Sequence, residues 1–139
     1  RDAQGTWSQR AYLKASNTGK WDRFGRSMDL DGDTLVVGAD YEGSSATGIG
    51  VPQDDDGLYK SGAAYLFKRN AEGVWSQHAY IKAPNSGERD VFGASLAIDG
   101  DTLVVGAWGE KSAASGINGA QDDDSSRDSG AAYIYRLAP

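Results

Sequence analysis

The stretch DGDTLVVGA occurs at 31–39 and again, unchanged, at 99–107, a spacing of 68 residues. Shifting the sequence on itself by this spacing also aligns the motifs FG, QDDD and SGAAY with second copies of themselves. A fixed long period is typical of repeat architectures, in which each unit is one supersecondary block that stacks on its neighbours. We therefore divide the single segment 1–139 into repeat unit 1 (1–68) and repeat unit 2 (69–136).

The sequence pattern predicts four β-strands for each repeat. In unit 1 residues 24–30 end in an alternation of apolar and polar side chains, and the DG that follows predicts a tight two-residue hairpin. Residues 33–39 are apolar on both faces, as expected of a strand that is covered on both sides. A loop rich in Gly, Ser and Asp (40–60) leads to two further strands, at 62–68 and 74–83. No segment carries a sustained helical period. The predicted fold class is all-β, with two four-stranded antiparallel units.

The chain does not begin with the first strand of a four-stranded unit. It opens with a fourth strand (7–15) and ends with a third strand (130–136), which predicts eight strands and one sheet split between the two ends. Trp7 and Trp75 fall on the apolar side of the fourth strand and are predicted to be core residues, with Tyr80 on the polar side. Two units alone would leave apolar sheet faces bare, which is rare on soluble monomers. The residues expected on such a face are Leu35, Val37, Ala63 and Tyr65 or their counterparts in unit 2.

Composition narrows the classes of function. The net charge of −6 argues against nucleic acid as a partner, because phosphate binding requires a basic surface. No apolar run approaches the ~20 residues of a membrane span, and the chain has no cysteine. The single histidine, His78, lies on the polar side of a predicted strand, and no nucleotide-binding glycine spacing is present. We therefore expect no enzymatic activity.

The doubled motifs carry a family resemblance. In unit 1 Phe24-Gly25 precedes the hairpin and Gly38-Ala39 closes the strand after it, and unit 2 repeats the pattern. This resembles the FG-GAP repeat of integrin α-subunit propellers, and the bacterial members of that family more closely still. The resemblance implies four-stranded blades arranged radially in a β-propeller, and an extracellular or cell-surface location. The proline that follows GA in the family is replaced here by Asp40 and Trp108.

Integrin-type repeats often carry a calcium loop between strands 1 and 2. Asp29, Asp31 and Asp33 match the start of such a loop, but the next residues, TLVV, belong to a strand. We therefore expect a plain hairpin turn at this position.

Two acidic triplets are the better candidates for calcium. They are Asp54, Asp55 and Asp56 in unit 1 and Asp122, Asp123 and Asp124 in unit 2. Calcium takes six to eight oxygen ligands, and aspartates with loop carbonyls supply them. Two other interpretations stay open, a solvated acidic loop and aspartates that bond to nearby backbone amides.

Two tryptophans are not repeated. Trp21 and Trp108 have Arg89 and Asp40 as their counterparts, so the repeat itself does not require them. Unrepeated aromatic residues in loops are candidates for stacking on a sugar or for filling an interface between blades, and we favour the interface.

Two hypotheses of function follow. The first is a non-enzymatic binding or adhesion module that presents its Gly/Asp-rich loops to a protein or glycan ligand. The second is an assembly unit, in which three or four copies of the chain close a homo-oligomeric ring, or a segment of a longer chain that supplies the missing blades. In the ring, strand 7–15 of one copy would pair with strand 130–136 of another and complete the split sheet.

Overall fold

A computed structural model describes residues 5–137 of the chain as an all-β fold of seven strands, with no helix in that range. The first sheet has the order β1-β2-β3-β4 and the second the order β5-β6-β7, with every pair of neighbours antiparallel. The fold class is confirmed, with four strands in the first sheet and three in the second. The strands are β1 (Ser27–Asp31), β2 (Thr34–Ala39), β3 (Ala63–Arg69), β4 (Trp75–Ile81), β5 (Ser95–Asp99), β6 (Thr102–Ala107) and β7 (Ala131–Arg136).

The repeated DGD forms a two-residue hairpin turn, as predicted. Asp31 pairs with Thr34, which leaves Gly32 and Asp33 as the loop. Only Gly32 has a positive φ (55°), the pattern that a type II′ turn requires at its first central residue. In unit 2 the matching glycine has a φ of 57°. The tight turn therefore holds the first two strands of each unit in a fixed register.

The main core lies between the two sheets. Side chains of β2 and β3 on one side pack against side chains of β5 and β6 on the other, and Phe92 is fully buried between them. Burial of apolar surface on this scale is the dominant favourable contribution to folding. The buried members of this cluster are Val36, Ala64, Leu66, Ile81, Ala83, Phe92, Ile98, Leu103, Val105 and Ala107.

The FG motif of unit 2 is the point where the two units meet most closely. The amide of Phe92 donates to the carbonyl of Ser61, and Phe92 forms a parallel bridge to Gly62. A Cβ on Gly38 would lie 2.1 Å from the carbonyl oxygen of Gly93, and a Cβ on Gly62 would lie 2.1 Å from that of Phe92. Backbone meets backbone here, so only glycine fits at both positions.

The outer face of the first sheet is covered by the chain's own segments. Tyr65, Phe67 and Tyr80 are buried there, and Leu13 and Ala15 pack against them. The expectation of a bare face at Leu35, Val37, Ala63 and Tyr65 is therefore wrong, because the segment before unit 1's FG motif lies over these side chains and leaves three of them buried and Leu35 half-buried.

A β-bulge changes the side-chain alternation of β4. Leu66 pairs with Ala79 while its neighbour Phe67 pairs with Gln77, so His78 is left without a partner in β3. After the extra residue the alternation is reversed. Tyr80 consequently points into the core beside Tyr65, with ring centroids 5.3 Å apart, and its prediction as a polar-face residue is wrong.

The predicted fourth strand at 7–15 is not a strand in the structure, so the count of eight strands is wrong. Residues at its end are anchored beside the first sheet, where the amide of Ser16 donates to Gln77 Oε1 at 3.1 Å. The strand β7, which it was expected to pair with in another copy, belongs to the second sheet. Trp7 is 78% exposed in the single chain, so its burial against a second copy stays a prediction, and Trp75 is half-buried against the outer cluster of the first sheet.

Replacing Gly38 by alanine should destabilise the fold, because the new Cβ would overlap the carbonyl oxygen of Gly93 and the Ser27 hydroxyl. We expect a loss of about 1–3 kcal/mol in the free energy of unfolding, measured by urea titration. Gly43→Ala is the control, since its Cβ would make only ordinary contacts, the nearest at 3.5 Å. Equal stabilities of the two variants would contradict the close backbone approach.

Candidate functional site

A buried ion pair lies at one end of the first sheet. Lys82 follows β4, and its ammonium donates to Glu42 Oε2 at 2.8 Å and to the Ser61 hydroxyl at 2.7 Å. Both charged side chains are almost completely buried. The Ser61 hydroxyl is in turn within hydrogen-bond distance of the carbonyls of Glu42 and Ser44. We call this group of residues the unit 1 socket.

Two further polar side chains complete the unit 1 socket. Asn17 donates to Glu42 Oε1 at 3.0 Å and accepts a hydrogen bond of 2.7 Å from the Tyr65 hydroxyl. Burial raises the pKa of Tyr65 above its usual value, and burial lowers the pKa of Lys82 against the opposing effect of Glu42. A buried charge is costly unless it is paired and hydrogen-bonded, and here every member has a partner.

Unit 2 contains the same arrangement without the lysine. Asn85 donates to Glu110 Oε1 at 3.1 Å and accepts from the Tyr133 hydroxyl at 2.7 Å. The Ser129 hydroxyl lies within hydrogen-bond distance of the carbonyls of Glu110 and Ser112. Glu110 is only 4% exposed, and within residues 5–137 no cationic group forms an ion pair with it. We call this group the unit 2 socket.

A groove opens at the unit 2 socket. Its volume is about 570 Å³, and it is lined by Glu110, Ser112 and Ser129 together with the edge strand β7. In the first sheet the corresponding edge of β3 is occupied by β4. The groove is therefore the place of the fourth strand that the second sheet lacks.

A separate cleft of about 510 Å³ lies on the loops of unit 1. Its walls include three aromatic residues, three cations and two carboxylates: Trp21, Tyr41, Tyr59, Lys20, Arg23, Lys60, Asp22 and Asp56. The guanidinium of Arg23 lies 3.4 Å from the Tyr41 ring centroid and the ammonium of Lys60 lies 3.9 Å from it, so the cations stack on the aromatic wall. Such a surface fits an anionic ligand that also offers an apolar face.

The unusual backbone of this cleft belongs to the repeat and not to a special site. Trp21, Arg23 and Lys60 all have positive φ angles, which non-glycine residues rarely adopt. Strain of this kind often marks a functional site. However, the residues at the matching positions of unit 2, Arg89, Val91 and Asp128, have positive φ angles as well. The conformation therefore belongs to the repeat, whichever side chain occupies the position.

The acidic triplets lie on exposed loops and use one aspartate each to order the backbone. Asp55 Oδ1 accepts hydrogen bonds from the amides of Ser45 and Gly57, which lower the pKa of Asp55 to about 2. Asp123 Oδ1 accepts from the amide of Ser125 at 2.7 Å. Asp54, Asp56, Asp122 and Asp124 are exposed. In the described part of the chain no three acidic or histidine side chains gather as a metal site. The geometry favours the loop-ordering interpretation, and calcium binding by the triplets stays a prediction.

The aspartates of the hairpin contact the neighbouring unit. Asp29 Oδ2 accepts from the amide of Ile98 at 2.9 Å, and Asp31 Oδ2 accepts from the amide of Gly100 at 2.7 Å. These carboxylates bind backbone of the second sheet, which agrees with a plain turn.

Of the two unrepeated tryptophans, Trp21 lines the cleft and is 75% exposed, whereas Trp108 is exposed beside the loop that follows β6. They are not brought together. Neither socket is recognisable as a site from the sequence alone, although Lys14 and Lys82 occupy matching positions, as do Glu42 and Glu110. A repeated lysine on a strand reads as a solvated charge until its burial is known.

Sheets that are apolar on both faces and stack through a glycine-lined contact define a propeller-type module. The family model described as FG-GAP repeat matches residues 7–67 and 75–135. The two matches cover most of the sequence, and the chain belongs to the FG-GAP repeat family. A search of curated proteins found no match to the chain. In the described residues no helix has the length and apolarity needed to span a membrane.

If the triplets bind calcium, millimolar calcium should raise the melting temperature of the chain, because a ligand that binds only the folded state stabilises it. Replacing Asp54 and Asp56 by asparagine should remove the part of the shift that the unit 1 triplet contributes, as measured by scanning calorimetry. The same calcium titration with magnesium in its place is the control for ionic strength. An unchanged melting temperature of the parent chain would refute calcium binding.

Proposed function

We propose that this chain is a non-enzymatic propeller segment that associates with further copies of itself to close a ring. The proposal is supported by the equivalence between the exposed and the packed faces of the two sheets. The two outward faces of the described structure correspond, residue by residue, to the two faces that already pack together between its sheets. By family, we infer a role outside the cell, where FG-GAP repeats serve as binding modules.

The outer face of the second sheet repeats the inner face of the first. Val36 and Leu66 of the first sheet are buried against the second sheet. Their counterparts at a spacing of 68 residues are Val104, which is half-buried, and Ile134, which is 74% exposed. The second sheet therefore offers solvent the same surface by which the first sheet binds it.

The opposite outward face shows the reverse relation. Leu96 and Ile98 of β5 pack into the core between the sheets. Their counterparts on β1, Met28 and Leu30, are exposed. Met28 and Leu30 of one copy can therefore pack against Ile134 of another, as Ile98 packs with Leu66 within the chain. A head-to-tail interface of this kind closes into a ring when the rotation between units permits it.

The solution mass of the chain tests the proposal. We expect three or four times the 14.7 kDa of one chain in multi-angle light scattering. Ile134→Asp should return it to one chain mass, because it places a charge on an apolar interface, while the equally drastic surface change Val74→Asp should not. A parent chain that remains a monomer at high micromolar concentration would refute self-association.

A second candidate function, ligand binding by the loops, is favoured by the cleft of unit 1. Its aromatic and cationic lining is specific to this unit, since Tyr41, Tyr59 and Lys60 are replaced by Gly109, Arg127 and Asp128 in unit 2. Aromatic rings flanked by cations suit a glycan that bears carboxylates. The cleft is therefore a candidate site for an acidic sugar.

Calorimetric titration with sialyllactose, and with lactose as the uncharged control, tests this site. We expect saturable binding of the acidic sugar alone. The double replacement of Tyr41 and Lys60 by alanine should remove it, because it deletes both the stacking surface and the counter-charge. Trp108→Ala, which changes an exposed aromatic residue outside the cleft, should bind like the parent. Equal binding by the double variant would place any glycan site elsewhere.

A further inference from the structure

We propose that residues 7–15 of a second copy fill the groove of unit 2, with Lys14 of that copy docked in the unit 2 socket on Glu110 and Ser129. This inference rests on the proposed self-association and adds to it the buried ion pair that fixes which segment enters the groove and in which register. The site is incomplete in one chain, because one copy supplies the carboxylate and another the lysine.

The unit 1 socket shows how the docked strand would be held. There Lys82 binds Glu42 and Ser61, and the preceding Ile81 and Tyr80 are buried beside them. Segment 7–15 matches 75–83 at every position except Arg10 for His78 and Leu13 for Ile81. Lys14 therefore stands where Lys82 stands, and Tyr12 where Tyr80 stands.

The two halves of the pair are complementary in burial as well as in charge. Lys14 is exposed and Tyr12 is 79% exposed, although their counterparts Lys82 and Tyr80 are buried. Glu110 is buried and has no paired cation among residues 5–137, although its counterpart Glu42 binds a lysine. An unpaired buried carboxylate destabilises the fold, and a buried lysine at the position of Lys14 would neutralise it.

The segment cannot reach the groove of its own chain in the described arrangement. Leu13 and Ala15 pack on the face of the first sheet that is turned away from the second sheet. The first sheet therefore lies between this segment and β7. A second copy, placed on the outer face of the second sheet, would bring its own segment directly against that edge.

The contact between the units supports a second copy as the occupant. Within the chain, the amide of Arg89 donates to the carbonyl of Tyr59, and the Arg89 guanidinium lies 5.7 Å from the Tyr59 ring centroid. The positions that would meet between copies carry Arg127 in place of Tyr59 and Trp21 in place of Arg89. The arginine and the aromatic residue have exchanged sides, so both contacts pair a cation with a ring.

Charges at the next positions are exchanged in the same way. Lys60 and Glu88 lie on the two sides of the contact within the chain, and Asp128 and Lys20 occupy the matching positions between copies. The cation and the acid have thus exchanged sides between the two contacts. This chain carries both halves of a complementary surface, which is what self-recognition requires.

A double-mutant cycle on assembly tests the docking of Lys14. The variants are Lys14→Met, Glu110→Gln and the two combined, and the measurement is the dissociation constant of the full chain by analytical ultracentrifugation. Each single change leaves one buried charge unpaired, so we expect at least ~100-fold weaker assembly. The double variant should be no weaker than either single one, because the two changes remove one shared interaction. Arg10→Met, at the position that matches exposed His78, is the matched control and should change assembly less than ~3-fold.

The outcomes separate this inference from the proposed function. If the parent chain assembles but Lys14→Met resembles the Arg10→Met control, or if the single effects simply add, the ring stands and the docking of Lys14 is wrong. If the parent chain is a monomer, both are wrong. In that case a further variant identifies the occupant of the groove. It carries a second copy of residues 72–83 after Pro139, and a higher melting temperature would show that a following repeat, and not a second copy of the chain, fills the groove. Circular dichroism of each variant confirms that it retains the β-fold.

Discussion

Each sheet of this protein is apolar on both faces, and the rest of the structure follows from the need to cover both. Val36 and Val37 are consecutive in β2, point to opposite sides, and are both buried. One face of the first sheet is covered by the second sheet, and the other by segments of the same chain around Phe24 and Ala15. A sheet of this kind has no solvent side. It is stable only as one layer in a stack, and the stack is the architecture of the family.

Much of the fold could be predicted from the sequence, because the repeat gives each pattern twice. The hairpin at Gly32 and the covered strand β2 follow from local turn chemistry and apolar runs, and both are present. The state of residues 7–15 could not be read in this way. Their pattern matches that of β4 almost completely, but a strand needs a hydrogen-bonded neighbour, and the sequence pattern does not say whether one is within reach. The bulge at His78 was missed for a related reason, since one extra residue in a strand is invisible in a period-2 pattern.

The candidate sites were harder to predict from the sequence than the strands, because their residues come together only in the folded chain. The acidic triplets are conspicuous in the sequence because three charges are adjacent, yet Asp55 accepts hydrogen bonds from amides of its own loop. Lys82 and Glu42 are 40 residues apart and become a buried pair only when the strands are in place. The two units together separate what the repeat requires, such as the positive φ of Trp21 and Arg89, from what is particular to one unit, such as the cleft around Tyr41.

The closest contact between the units is made of main-chain atoms, through the carbonyl of Ser61, the amide of Phe92 and the glycines around them. Main-chain bonds do not depend on side-chain identity, so any two units that retain these glycines can join. A gene for such a unit can be duplicated and the new copy fits at once, without compensating changes at its borders. The side chains beside the contact are then free to diverge, as the replacement of Tyr59 by Arg127 and of Trp21 by Arg89 at matching positions of the two units illustrates.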